Sequence, residues 1–244
     1  MFRSDPDTAI GGADGRFPGT RATLIERLHS DDLTVRELAL GELVAVYWKP
    51  VYKTIRIQWK KSNEEAKDLT QGFLAMILDR SALDGFDPSR GTFRTFIRTL
   101  LARYVSNEFK SSQRLKRGGD LQAVDFDAAE AELRAAAADS PDEVLHREWI
   151  RSVLERSVAR LEAELIAEGK IDHFELFRKY DIEGSGESYR ALAKELGVQE
   201  TAVTNWLAAA RRRFRGIVLD TVRGLTASEA EFRQEVRALL GVEP

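Results

Sequence analysis

The sequence predicts an all-α protein in which two helical domains are joined by an acidic linker. Apolar residues recur at helical spacing along most of the chain, and no segment has a convincing strand pattern or an internal repeat. Glycine and proline are scarce between residues 20 and 117, and the charge changes sign abruptly after that segment. These observations divide the 244 residues into a disordered N-terminal tail (1–19), a first helical domain (20–117), an acidic linker (118–140), a second helical domain (141–225) and a C-terminal helix (226–244).

The composition excludes several classes of function. The chain has no cysteine, so disulfide scaffolds, thiolate metal sites and cysteine nucleophiles are ruled out. Its three histidines are far apart and lack the short spacing that is typical of zinc ligands. No apolar run approaches the ~20 residues of a membrane helix, and the first residues do not resemble a signal peptide. We therefore expect a cytoplasmic protein with no membrane partner. Because the sequence also lacks a P-loop, a GxSxG motif and an HExxH motif, we expect that it is not an enzyme and has no catalytic residue, no metal and no cofactor.

The first helix of the first domain is predicted from a capping box and a run of apolar residues. Thr34 with Glu37 forms the capping box, and Pro50 is expected to kink or break the helix near Lys49. The apolar positions that follow the helical period are Leu40, Leu43, Val44, Tyr47, Val51 and Ile55.

Two further helices follow in the first domain. Ser62 with Glu65 opens a helix that extends to about Asp79. Its inner face is formed by Leu69, Phe73, Met76 and Ile77. The next helix covers about 92–110 and interleaves aromatic residues with arginines, a pattern that suits unstacked bases and a phosphate backbone. We expect Phe96 and Leu100 to be its core positions.

The near-neutral net charge of −3 conceals a strong local separation of charge. Residues 89–117 hold eight basic side chains and one acid, a net of +7. Residues 118–148 hold nine acids and two arginines, a net of −7. The basic segment indicates an anionic partner, whereas the acidic segment indicates either a functional tether or an inert spacer.

The second domain contains the pattern of a helix-turn-helix between residues 188 and 215. Gly197 follows the first helix at the C′ position, where a glycine is able to take a positive φ, and Val203, Leu207, Ala210 and Phe214 line the second helix. The outer N-terminal half of that second helix is predicted to meet base edges, and its C-terminal half carries a basic flank able to neutralise phosphates. The polar residues are Thr201, Thr204, Asn205 and Trp206, and the arginines are Arg211, Arg212, Arg213 and Arg215.

Two interpretations of this motif remain open. A helical hairpin with solvated arginines is the weaker one, because residues 202–218 carry four positive charges and no acid. Trp206 either contacts DNA or packs against the first helix of the motif.

Beyond the motif, Thr226 and Glu229 are expected to cap a last amphipathic helix, which bears Phe232, Val236, Leu239 and Leu240.

The order of these motifs resembles a known family. The run EEAKDLTQGF (64–73) resembles the region 2.2 signature of extracytoplasmic-function (ECF) RNA polymerase sigma factors, a group within the sigma-70 family. The stretch FDPSRGTFRTF (86–96) and the triplet RGG (117–119) resemble the ECF branch abundant in planctomycetes. Taken in order, residues 20–240 resemble sigma region 2, an inter-domain linker and sigma region 4.

The resemblance implies partners and roles for individual residues. Core RNA polymerase is the implied partner, with its β′ clamp helices on the region 2.2 helix and its β flap on region 4; the polymerase-facing residues are Glu65, Asp68, Gln71, Gly72 and Ala75. Promoter DNA is the second partner, contacted at its −10 element by Arg94, Arg98, Arg103, Tyr104, Lys110 and Arg114. Its −35 element is contacted by Thr201, Thr204, Asn205, Trp206, Arg211 and Arg212. Lys67 departs from the acid usual in the family, and an anti-sigma factor or a regulatory kinase is a further partner that the family allows.

The sequence therefore predicts a sigma factor that brings polymerase to promoters and starts their melting. The alternative is a helix-turn-helix regulator that binds DNA without polymerase. This alternative accounts for residues 188–215 but leaves the region 2.2-like face and the basic aromatic helix without a role. A helical protein–protein adaptor fits the architecture but not the segregation of charge.

Overall fold

The computed structural model describes residues 23–116 and 141–241, and in these ranges the protein is all-helical, with no strand. The predicted N-terminal tail and acidic linker lie outside the described residues. The chain forms two compact units. Among the described residues, the first unit comprises 23–152 with 224–232, and the second comprises 153–223 with 233–241. The boundaries predicted from sequence stay a prediction.

The first unit is built from α-helices that surround one apolar core. They are α1 (Leu24–Leu28), α2 (Leu33–Gln58), α3 (Asn63–Leu78), the short α4 (Arg80–Leu83), α5 (Phe93–Lys116) and the start of α6 (Pro141–Ala167). A 3-10 turn (Pro88–Arg90) precedes α5. Among the largest fully buried side chains of this core are Tyr47, Ile55, Phe73, Phe93 and Trp149.

The helix starts show which capping predictions are correct. Ser62 accepts the N–H of Glu65 and the Glu65 carboxylate accepts the N–H of Ser62, so the capping box of α3 is confirmed. The box predicted at Thr34 is wrong, because Asp32 caps α2 and accepts the N–H groups of Thr34 and Val35.

The predicted break of α2 at Pro50 is not observed, whereas the kink predicted as the other outcome stays a prediction. The helix continues through Pro50 to Gln58, and Pro50 is itself buried. Its neighbours Val46, Tyr47 and Val51 are buried as well. Packing on both sides of the proline outweighs the helical hydrogen bond that its missing N–H removes.

The core face of α5 differs from the prediction by a rotation of about one residue. The buried positions are Phe93, Ile97, Leu101 and Val105, whereas the predicted Phe96 and Leu100 are only half-buried. Aromatic contacts around Phe93 account for this rotation. Its ring packs against Phe86 at a centroid distance of 5.3 Å and against Tyr47 at 6.3 Å.

The second unit contains the two helices and the glycine turn that the sequence predicts between residues 188 and 215. After the end of α6 come α7 (Ile171–Phe177), one π-helical turn (Arg178–Ile182), α8 (Tyr189–Leu196), α9 (Glu200–Arg223) and the end of α10 (Glu229–Leu240). Gly197 takes φ 67° at the end of α8, as predicted, and the Val198 N–H donates to the carbonyl of Ala193. Leu192, Val203 and Leu207 are buried between the two helices.

The start of α10 corrects another predicted cap. Thr226 is buried and Glu229 is exposed. The cap is Ser228, whose hydroxyl oxygen accepts the N–H of Glu231 at 3.1 Å.

Candidate nucleic-acid interface

The exposed face of α9 collects most of the polar residues predicted to meet base edges. Thr201, Thr204 and Asn205 are exposed in the first two turns, and Arg212 is exposed further along the same face. The Thr204 hydroxyl donates to the carbonyl of Glu200 at 3.1 Å, which fixes its rotamer. Residues at positions i, i+3, i+4 and i+11 share one side of a helix, so these side chains are available to one ligand.

Arg211 is held away from this face by a cluster within the second unit. Its guanidinium donates two hydrogen bonds to Asp181, at 3.0 Å from Nε and 2.8 Å from Nη2. It also lies over the Tyr180 ring at 5.5 Å and reaches the Tyr189 hydroxyl at 3.5 Å. The prediction made Arg211 a DNA contact, whereas its donors are used to connect the π-helical turn to α9.

Arg213 is paired in a similar way with acids of α6 and the turn that follows. Its Nε donates to Glu164 at 2.9 Å, and its Nη2 lies 2.5 Å from a Glu168 oxygen. Hydrogen bonds from Arg213, then from Lys170, lower the pKa of Glu168 to about 2. The ion pairs of Arg211 and Arg213 therefore neutralise half of the basic flank of α9.

Arg212 and Arg215 are the two arginines of this flank that form no ion pair within the described part of the chain. Arg215 follows Thr201 by two heptads and so lies on the same face of α9. The sequence pattern placed Arg215 in the basic flank, but the family resemblance did not include it among the −35 contacts, and the structure shows the residue half-buried.

Trp206 packs within the second unit. Its ring stacks on His173 of α7, with centroids 4.6 Å apart and an interplanar angle of 18°, and the residue is half-buried. Packing is thus observed: the ring stacks on α7, and Trp206 also packs against the apolar cluster to which Leu192 and Ala193 of α8 belong. Burial, and after it the charge of Lys170, lowers the pKa of His173.

The basic residues of α5 also differ in what they contact. The Arg94 guanidinium lies 5.1 Å from the centre of the Trp149 ring, so this side chain is used in packing. Arg98 is half-buried, whereas Arg103 and Lys110 are exposed. Arg114 belongs to α5, but its side chain lies outside the described residues.

Tyr104 and Gly72, which the resemblance placed on two different surfaces, pack against each other. The Tyr104 ring lies 5.7 Å from that of Phe73, and its hydroxyl sits directly above Gly72. A Cβ atom at position 72 would be 2.1 Å from the Tyr104 oxygen, so the absence of a side chain there admits the tyrosine.

A groove of about 230 Å³ lies between the first half of α5 and the loop that precedes it. Arg103 and Arg90 contribute cations, and Phe86 and Phe96 contribute aromatic surface. Backbone and hydroxyl hydrogen bonds hold the loop, since Asp87 accepts both the N–H and the hydroxyl of Ser89. The sequence pattern had not identified Phe86 or Arg90 as binding residues. The other lining residues are Gly85, Asp87, Gly91, Thr92, Thr95, Thr99 and Leu100.

The outer face of α3 carries the remaining predicted residues. Asp68, Gln71 and Ala75 are exposed along one side of the helix. Glu65 is exposed too, but its carboxylate belongs to the capping box of α3. Hydrogen bonds from Lys61, and after them those from Ser62, lower the pKa of Glu65 to about 2.

Beside this face lies a second groove, of about 190 Å³, between α3 and the C-terminal half of α5. Its floor is apolar and its rim carries three acids and one lysine, which pairs with one of the acids at 2.9 Å: the floor residues are Leu69, Val105 and Phe109, the rim acids are Glu65, Asp68 and Glu108, and the ion pair is Lys61–Glu65. Lys61 lies 4.1 Å from the centre of the Phe109 ring.

Comparison with known proteins adds no relative. No protein-family model, curated protein or solved structure matches the chain.

The described residues form three exposed surfaces with distinct chemistry. The first is the acidic and amide face of α3, the second is the aromatic and cationic groove at the start of α5, and the third is the hydroxyl, amide and arginine face of α9. Among the described residues, no group of three or more acids and histidines could hold a metal ion. No described helix is both long and apolar enough to cross a membrane.

Proposed function

We propose that this chain is an RNA polymerase sigma factor of the ECF type, which binds core polymerase, recognises promoter DNA and starts its melting. The observation that carries the proposal is the presence of the three surfaces on one chain. A DNA-binding motif alone requires only the face of α9, whereas recruitment and melting also require a protein-docking face and a site for unpaired bases.

The face of α9 has the composition expected of a reader of the major groove. The Thr201 hydroxyl and the Asn205 amide can donate to and accept from base edges, and the Thr204 hydroxyl, which donates to the Glu200 carbonyl, can accept from them. Arg212 and Arg215 supply cations to the phosphates on either side, and these contacts set orientation and affinity. We assign this face to the −35 element.

The groove at the start of α5 has the composition expected of a site for an unstacked base. An extruded base is stabilised by an aromatic face, here Phe86 or Phe96, while the backbone is held by cations such as Arg103. Because a base can enter only after it leaves the duplex, binding in the groove favours the melted state. We assign this groove to the −10 element.

The face of α3 supplies the docking surface for polymerase. Asp68 is exposed at its centre and lies on the rim of the apolar groove. An acidic rim around an apolar floor is complementary to a helix that carries arginine or lysine beside apolar residues. The β′ clamp helices are the partner that the family resemblance implies.

A pull-down with core polymerase tests this assignment. Asp68→Lys should reduce the recovered polymerase at least tenfold, because it places a cation opposite a basic partner. Asp31→Lys, which reverses an exposed acid outside α3, is the matched control and should leave recovery unchanged. Equal recovery with both variants would contradict the docking assignment.

The second candidate is a helix-turn-helix regulator that acts without polymerase. The face of α9 favours it as strongly as it favours a sigma factor. The two functions differ in the pull-down, since only a sigma factor retains core polymerase.

A further inference from the structure

The segment after the helix-turn-helix packs into the first unit. Residues 224–232 belong to that unit, and Leu225, Thr226, Glu231 and Phe232 are buried. The carbonyl of Thr226 accepts the N–H of Leu24 at 3.0 Å. Arg27 donates to the carbonyl of Gly224 at 3.4 Å, so this segment is hydrogen-bonded to α1 at two points.

Glu231 connects this segment to the start of α5. The residue is 7% exposed, and one carboxylate oxygen accepts the N–H of Phe93 at 2.5 Å. The other oxygen accepts the N–H of Ala227 at 2.8 Å. Phe93 is the first residue of α5 and is fully buried, so its N–H has neither a partner within the helix nor access to water. A carboxylate at this point also interacts favourably with the helix dipole.

The first turn of α5 that Glu231 caps also forms one wall of the aromatic groove. Thr92, Thr95 and Phe96 line the groove. The Thr92 hydroxyl accepts the N–H of Thr95 at 3.2 Å. Two N–H groups of this turn are therefore satisfied by side chains: that of Thr95 by the adjacent Thr92, and that of Phe93 by the distant Glu231. The position of this wall therefore depends on a residue 138 positions away in sequence.

We propose that Glu231 is a positioning residue for the candidate base-binding groove, and that residues 224–232 belong functionally to the unit that binds single-stranded DNA. This inference rests on the proposed function. A carboxylate is required because two N–H donors converge on its two oxygens. A glutamine amide offers one acceptor and directs its NH₂ group at the other donor.

The test compares Glu231→Gln with Glu229→Gln in the full chain. Both change a glutamate of the first turn of α10, but Glu229 is exposed. The probe is a fluorescein-labelled, single-stranded 12-mer of mixed sequence. Binding is measured well below the melting temperature of each protein variant. Amide hydrogen exchange at Phe93–Phe96 is measured on the same samples. Glu231→Gln should weaken oligonucleotide binding about tenfold and accelerate exchange at Phe93, whereas Glu229→Gln should change neither.

Further outcomes separate this inference from the proposed function. Glu231→Asp keeps the charge on a shorter side chain and should give an intermediate exchange rate and affinity. Faster exchange at Phe93 with unchanged oligonucleotide affinity would overturn the positioning role. Unchanged exchange would overturn the cap itself. A wild-type chain that binds neither the oligonucleotide nor core polymerase would contradict the proposed function, while the exchange rate at Phe93 would still decide whether Glu231 caps α5.

Discussion

Ion pairs divide the four arginines of the basic flank of α9, residues 211–215, into two classes. Arg211 and Arg213 are held by acids, whereas Arg212 and Arg215 have no acid partner in the ranges that the structure describes. The sequence showed four positive charges and no acid nearby. It could not show the pairing, because Asp181 and Glu164 are 30 and 49 positions away from their arginines.

The two classes should differ in the salt dependence of DNA binding. Each arginine that neutralises one phosphate contributes roughly 0.9 to the slope of log K against log salt. Arg212→Ala and Arg215→Ala should each reduce that slope by about 1. Arg211→Ala should leave the slope unchanged, because Arg211 binds Asp181 and not a phosphate. It should lower the melting temperature of the protein, because Asp181 loses its ion-pair partner. Fluorescence anisotropy between 50 and 300 mM salt measures the slope, and a loss of slope in Arg211→Ala would contradict this division.

Gly72 provides a second residue-scale test. A methyl group at position 72 would collide with the Tyr104 hydroxyl, so Gly72→Ala should destabilise the first unit by about 1–3 kcal/mol. Tyr104→Phe removes the colliding oxygen and should restore part of that stability in the double variant. Gly41→Ala is the matched control, since nothing lies within 4 Å of a Cβ at that position. Urea unfolding measures all four proteins, and equal stability of Gly72→Ala and wild type would show that Tyr104 does not pack on Gly72.

At the scale of the helix, local chemistry was predictable and tertiary anchoring was not. The Ser62–Glu65 box and the positive φ of Gly197 depend on a few adjacent residues, and both are confirmed. The rotation of α5 depends on Phe86 and Tyr47, which pack on Phe93 from other elements. A helical pattern with aromatic residues on several sides leaves that rotation undetermined until its neighbours are known.

The cap of α3 predicts a pH dependence in the acid range. The pKa of Glu65 is lowered from its ordinary 4.5 to about 2, so the stabilisation from this carboxylate is fully present above about pH 4.5. It is lost as the pH falls from 4.5 through about 2, because protonation removes the hydrogen bonds from Lys61 and Ser62. The difference in melting temperature between wild type and Glu65→Gln should thus be constant from pH 5 to 8 and shrink below pH 4.5.

Glu64→Gln is the control for this pH dependence. Glu64 lies in the same turn and forms an exposed i,i+3 pair with Lys67, but it accepts no backbone N–H in the capping box. Its substitution should have a smaller effect at every pH. A difference between wild type and Glu65→Gln that persists unchanged at pH 2.5 would show that the carboxylate charge is not what stabilises the cap.

For the whole molecule, the sequence predicted the all-helical architecture because long apolar periodicities and a glycine-terminated helix are local signals. It did not predict that residues after the helix-turn-helix belong to the first unit. That arrangement depends on Glu231 reaching Phe93 and on Thr226 reaching Leu24, contacts that no local pattern encodes. The aromatic groove was only partly predictable for the same reason, since Phe86 and Arg90 lie in a loop whose course depends on α5.

The separation of charge along the chain is interpreted with the tertiary contacts of its basic residues. The net charge of −3 averages the basic segment 89–117 with the acidic segment 118–148. Within the basic segment, Arg94 packs on Trp149 while Arg103 borders the groove, so only part of the positive charge is available to DNA.

Run-off transcription with core RNA polymerase tests the central claim most directly. Promoters are first mapped after overexpression of the chain, and one mapped template is then transcribed in vitro with and without the purified protein. The account predicts specific transcripts only when the protein is present, an unchanged yield with Asp31→Lys and at least a tenfold lower yield with Asp68→Lys. Transcription that is no greater than with core polymerase alone, from protein that is folded and binds the same DNA, would contradict the assignment as a sigma factor.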